Sequence, residues 1–268
     1  MRPDSARVAR FVPSPNHSER AAGKTIDCLI LHYTGMPSAD AALRRLCDQR
    51  AQVSSHYFVG EDGEVLQLVS EERRAWHAGQ SWWAGETDIN SCSLGIEIAN
   101  GGHPGDLPPF PEVQIEAVVA LCRDLCTRHA IAPQRVLAHS DIAPRRKIDP
   151  GENFPWDILH RAGVGHWVPP AGAEGVGMRR GEGGGAVEAL QRTLANYGYE
   201  IAATGSFDEA TEFVIAAFQR HFRPMRVDGI ADAATLATLH DLVRALPARR
   251  YGASAEMNSG SGRPCETR

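Results

Sequence analysis

The run "TIDCLIL" at 25–31 sets β-prone apolar residues side by side with few polar breaks, as in a strand covered on both faces. It ends in His32-Tyr33. Ser38 then stands as an N-cap before the helical pattern "ADAALRRLCDQRA", and "HYFVGEDGEVLQLV" reads as two short strands joined by a turn at Asp62-Gly63. In the strand "SLGIEIAN", Leu94, Ile96 and Ile98 share one face while Gly95, Glu97 and Ala99 share the other. Pro111 opens "PEVQIEAVVALCRDLCTRHA", in which Ile115, Val118, Val119, Cys122, Leu125 and Cys126 line one helical face. "RVLA" is a short buried strand, and it too runs into a histidine, His139. This mixture predicts an α/β domain with a mixed β-sheet flanked by helices.

Beyond residue 163 the texture changes. Gly and a Pro pair dominate "GVGHWVPPAGAEGVGMRRGEGGG", which reads as a flexible linker. Three amphipathic patterns follow, "AVEALQRTLANYGY", "DEATEFVIAAFQRHF" and "DAATLATLHDLVRAL", of a size to make a small all-α three-helix C-terminal domain. Two of them share the preface G-x-x-D-x-A-T, where glycine permits a tight entry turn and Asp208 or Asp232 caps the helix. The division expected is 1–165 for the first domain, 166–182 for the linker, 183–246 for the helical domain and 247–268 for a disordered tail without apolar period.

Composition narrows the partners. A chain of 268 residues with 43% hydrophobic content can bury a real core, and a net charge of −5 argues against a nucleic-acid binder, which usually shows a basic stripe. The N-terminal residues lack an apolar core and no apolar run reaches membrane-spanning length, so no membrane anchor is expected; the location expected is cytoplasmic, with the periplasm as the alternative. The six cysteines sit mostly inside apolar segments and read as reduced, packed thiols.

His32 and His139 each end a buried strand, the place where α/β sheets build their sites. Asp149 follows on the Pro-studded loop "SDIAPRRKIDPG", which is long enough to fold back beside His139. Two histidines and a carboxylate are a ligand set of catalytic zinc. A plainer reading also fits: strand-end histidines often only hydrogen-bond, and an Asp-Pro-Gly turn needs no metal. Spacing alone leaves both open. Glu97, between small Gly95 and Ala99, has room for a ligand and can move protons, unless it lies on the solvated face of an edge strand. Lys147, two positions before Asp149 on an extended loop, projects to the same side, where an ammonium could meet an oxyanion.

In order along the chain, "SPNHSER", "LILHYTG", "SSHYFVGEDGEVLQLV", "AWHAGQSWWAG", "NSCSLGIEIAN", "VLAHSDIAPRRKIDPG" and "FPW" resemble the zinc-dependent N-acetylmuramoyl-L-alanine amidases of the type-2 family, which includes AmpD- and AmiD-like enzymes and is related to peptidoglycan recognition proteins. The resemblance covers nearly all of residues 10–160. It implies one zinc ion held by His32, His139 and Asp149, with Glu97 as acid/base residue and Lys147 as oxyanion stabiliser. Relatives that only recognise peptidoglycan typically lack a metal ligand, and here no position of the set departs from the pattern.

Around that set, Tyr33, His77, Trp82, Trp83, Asn100 and Arg146 are the residues expected to meet substrate, each with a structural alternative: His77 can brace a loop, and the tryptophans can pack down instead of stacking on a sugar. His56, His103, His129, His160 and His166 show no partner pattern. Residues 183–246 resemble the three-helix peptidoglycan-binding module of cell-wall hydrolases, which would tether the enzyme to polymer. The activity implied is hydrolysis of the amide between N-acetylmuramic acid, or its 1,6-anhydro form, and L-alanine of the stem peptide. A non-catalytic peptidoglycan-binding protein is the alternative.

Overall fold

The computed structural model describes residues 2–246; the expected tail at 247–268, with Cys265, lies outside the described residues. The first part of the chain forms β1 (Arg10–Phe11), β2 (His17–Glu19), β3 (Cys28–Tyr33), α1 (Ala39–Leu46), β4 (Tyr57–Val59), β5 (Val65–Gln67), β6 (Arg73–Ala75) and the single turn α2 (Ile89–Cys92). It continues through β7 (Ser93–Ile98), α3 (Glu112–Arg128), β8 (Val136–Ala138), the single turn α4 (His139–Ile142) and α5 (Trp156–Arg161). Among the described residues three more helices follow: α6 (Gly185–Tyr197), α7 (Glu209–Phe222) and α8 (Ala233–Arg244).

The main sheet has the order β1-β5-β4-β7-β3-β8, and β2 pairs with β6 apart from it. β4, β7, β3 and β8 run parallel, while the β4–β5 hairpin is antiparallel, so the sheet is mixed as its pattern predicts. β7 lies between β4 and β3, which removes the edge-strand reading of Glu97.

Period-two alternation then sorts the side chains. Leu29, Leu31, Leu94, Ile96 and Ile98 pack toward α3 with Ile115, Val118 and Leu125. Cys28 and Ile30 point to the other face, where the buried cluster continues through Trp83 and Ile142 into Val214 and Phe218 of α7. The two parts of the chain therefore share one core cluster. Two differences from the sequence reading matter for the site. β3 begins at Cys28 and includes His32, whereas β8 stops at Ala138 and leaves His139 as the first residue of α4.

The caps act as anticipated: Ser38 accepts from the Ala41 amide, Asp208 from Thr211 and Asp232 from Thr235. Residues 166–182 form no helix or named strand, yet Met178 bridges to Ala231, Ala171 donates to Thr238 Oγ1 and Trp167 packs into the cluster. Cys28, Cys92 and Cys122 are buried free thiols, and Cys47 and Cys126 are half-buried ones. No helix among the described residues is long and apolar enough to cross a membrane.

Candidate active site

Adjacent parallel strands β8, β3 and β7 carry His139, His32 and Glu97 at or just beyond their carboxyl ends, and His32 sits in direct register with Glu97. Asp149 reaches the same point from its loop, whose carbonyl accepts the Ser140 amide at 3.0 Å. His32 Nδ1, His139 Nδ1 and Asp149 Oδ2 lie 2.9, 3.0 and 3.0 Å from one another, all buried. They form the floor of a cleft of about 380 Å³ that is also lined by Tyr33, Glu97, Arg146 and Lys147.

Hydrogen bonds fix the tautomers. The Ser93 hydroxyl gives its proton to the Ile89 carbonyl at 2.6 Å, so its oxygen accepts from His77 Nε2–H at 3.2 Å. His77 Nδ1 is then an acceptor, and the group facing it at 3.1 Å, His32 Nε2, must carry the proton. That leaves His32 Nδ1 with a bare lone pair. His139 Nε2 faces the Ala78 carbonyl at 3.1 Å and must also donate, which leaves its Nδ1 bare. Two lone pairs and a carboxylate oxygen thus converge with no proton between them, an arrangement that repels itself unless a cation joins them. Ligands of a tetrahedral zinc at about 2.0–2.2 Å sit roughly 3.3 Å apart, close to the spacing here. The residues fit the metal.

Burial lowers His32 to about 4, helped by neighbouring His139, so its ring is neutral near neutral pH. Burial alone would raise Asp149, and its carboxyl is held well below the usual range only by positive charge and hydrogen-bond donation from the His139 and His32 side, so with both facing lone pairs bare the carboxylate needs a cation at this point. Glu97 is pushed up to about 8, first by burial and then by the Asp149 carboxylate, against the opposing pull of Lys147. Its Oε2 is shielded from water and has no hydrogen-bond partner.

Other expected contacts fall in several places. Tyr33 lines the cleft and its hydroxyl meets His103 Nδ1 at 3.0 Å. Arg146 also lines it, held by the Ala78 and Gln80 carbonyls, and Lys147 follows a turn in which its amide donates to Ala143, rather than an extended loop. His77 touches the cleft, but both ring nitrogens are engaged behind His32. The space over Gly95 is not open to a ligand: a β-carbon there would come within 2.5 Å of the His77 ring.

Trp82 faces a separate groove of about 1000 Å³ bounded by Arg146, Ile201 and Asp208. Trp83 does not reach the cleft; it is 1% exposed and packs against Tyr199 and Gly198, because its apolar ring closes the shared core. Asn100 is likewise turned away, donating to the Pro108 carbonyl and accepting from Gly102 to fix its own loop. Sequence reasoning missed Ser93, Asn90 and His56. Asn90 accepts the His77 and Ala78 amides, and His56 Nδ1 accepts from Gly95. The only local signal was their polarity inside buried segments.

Residues 22–152 match the N-acetylmuramoyl-L-alanine amidase family model, and residues 183–239 match that of a peptidoglycan binding domain. The N-acetylmuramoyl-L-alanine amidase AmiD of Escherichia coli is 39% identical over 238 residues, covering 84% of this chain and 84% of that protein. The 1,6-anhydro-N-acetylmuramyl-L-alanine amidase AmpD of Enterobacter cloacae is 34% identical, over 57% of this chain and 88% of that protein. The structure of E. coli AmiD with anhydro-N-acetylmuramic acid-L-Ala-D-gamma-Glu-L-Lys superposes with a TM-score of 0.71 at 35% identity, covering 85% of this chain and 97% of that one. With its fold, its cleft and the length of that match in accord, the chain belongs to the N-acetylmuramoyl-L-alanine amidase family.

Proposed function

We propose that the protein hydrolyses the amide between N-acetylmuramic acid and the L-alanine of the stem peptide, accepting the 1,6-anhydro sugar, in cell-wall turnover and recycling. The observation that carries this is the buried convergence of His32 Nδ1, His139 Nδ1 and Asp149 Oδ2 within 3.0 Å of one another beside an unpartnered Glu97 oxygen. His32, His139 and Asp149 would hold one zinc ion. Bound zinc supplies Lewis-acid polarisation of the scissile carbonyl and acidifies water.

The remaining work belongs to side chains. Glu97, on the cleft wall, takes a proton at its carboxylate as the nucleophile attacks and returns it to the leaving alanine nitrogen. Lys147, on the cleft wall, sets its ammonium against the oxygen that gains charge. Tyr33 and Arg146 border the same cleft and orient substrate, Arg146 through the peptide carboxylates. Residues 1–165 form the catalytic domain, 166–182 connect it, and 183–246 bind peptidoglycan polymer, raising the local substrate concentration.

The test is mass spectrometry of anhydro-muropeptides and of intact sacculi after incubation with zinc-loaded and chelator-stripped protein. Free stem peptide is expected with zinc and not without it. Retention of sacculi without release of peptide would leave a binding protein. Comparing the two substrates reports sugar form and polymer use.

A further inference from the structure

Asp141, two positions after His139, is a carboxylate with no exposed side-chain surface, and three donors converge on it. Its Oδ2 accepts from the Ala138 amide at 2.8 Å and from His221 Nδ1 at 2.7 Å; its Oδ1 accepts from the Tyr199 hydroxyl at 2.7 Å. The first contact is local and caps the turn that begins with His139. The other two come from the C-terminal helical part, across sequence separations of 58 and 80.

Both distant partners are themselves fixed. The His221 ring stacks on Trp156 at 3.7 Å, and Tyr199 is buried against Trp83. The capped turn in turn sets both ends of the ligand triad, since it presents His139 and its Ser140 amide holds the Asp149 carbonyl. A buried carboxylate keeps its place only while its charge is hydrogen-bonded.

We propose that Tyr199 and His221 are positioning residues for the metal centre: the peptidoglycan-binding part of the chain helps to build the zinc site by saturating Asp141. This rests on the zinc reading above. Neither residue touches the ligands; each acts through Asp141 on the turn that carries them.

The test uses full-length protein, with zinc affinity measured by chelator competition and folding followed by circular dichroism. Tyr199→Phe and His221→Gln keep the ring or the bulk and are each expected to weaken zinc about 10-fold, and together up to about 100-fold, with the fold retained. Val243→Ala, which packs on the same core from α8 without contacting Asp141, should lower the melting temperature and leave zinc affinity alone. In an Asp141→Asn background, His221→Gln should cost less than about twofold further, because the partner charge is already gone. Zinc affinity of Tyr199→Phe and His221→Gln within about twofold of wild type, or a loss matched by Val243→Ala, would overturn the proposal. Wild-type protein that takes up no zinc would instead remove the metal reading itself, a result distinct from variants and wild type binding alike.

Discussion

Glu97→Gln should change how the metal-free protein responds to pH. The wild-type carboxyl is held up at about 8 against an ordinary 4.5, so the folded state keeps a proton that the unfolded chain releases. Folding stability must therefore fall as pH rises from about 4.5 to about 8, the reverse of a salt-bridged carboxylate. At about 1.4 kcal/mol per pH unit the loss between about pH 5 and about pH 9 is about 4 kcal/mol. Water in the cleft screens part of that, which brings the working figure to roughly 2–4 kcal/mol. Glutamine has nothing to ionise. Comparing the two proteins at each pH isolates the one group that differs. Urea unfolding of both proteins in excess chelator, at several pH values across that span, measures it. The variant should gain on wild type by those kilocalories as pH rises, and the gap should narrow with zinc, whose charge supports the carboxylate. Parallel stability curves for the two proteins would refute the placement of Glu97 as a protonated group facing the triad.

Other consequences follow from the same geometry. Ser93→Ala removes the acceptor that fixes His77, so zinc affinity should drop about 10-fold and nitrogen-15 spectra should show mixed His32 tautomers; an unchanged spectrum would break the chain of hydrogen bonds. Gly95→Ala drives a methyl into the His77 ring and should cost about 1–3 kcal/mol in thermal or urea unfolding, together with weaker zinc binding. Lys147→Ala should lower kcat about 100- to 1000-fold at full zinc occupancy, with partial recovery in Lys147→Arg, as steady-state assays on anhydro-muropeptides would show.

Much of the architecture was legible along the chain because periodicity is a local property. Alternation in "SLGIEIA" put Glu97 on the face opposite Leu94 and Ile96, and the ends of the apolar runs brought His32 and His139 to within a residue of the strand ends, although His32 lies inside β3 and His139 opens α4. The helix caps at Ser38, Asp208 and Asp232 were readable for the same reason, since a cap and its amide lie three residues apart.

Other features depend on which distant segments meet. Pattern alone marked the surface over Gly95 as open, but the chain returns from "AWHAG" and fills it with His77. Trp82 and Trp83 are neighbours of one type, yet one borders a groove and the other closes a core built partly by residues more than a hundred positions later. Nothing local in the sequence marks Asp141, because the groups that saturate it, Tyr199 and His221, come from 58 and 80 positions away. The sequence by itself determined which residues lie on which face of each element and which could ligate a metal. Only the tertiary structure decided which lone pairs point inward, because a tautomer is set by the partner across space, and here those partners, Ala78 and the His77–Ser93 pair, come from loops and strands remote from the ligands they orient.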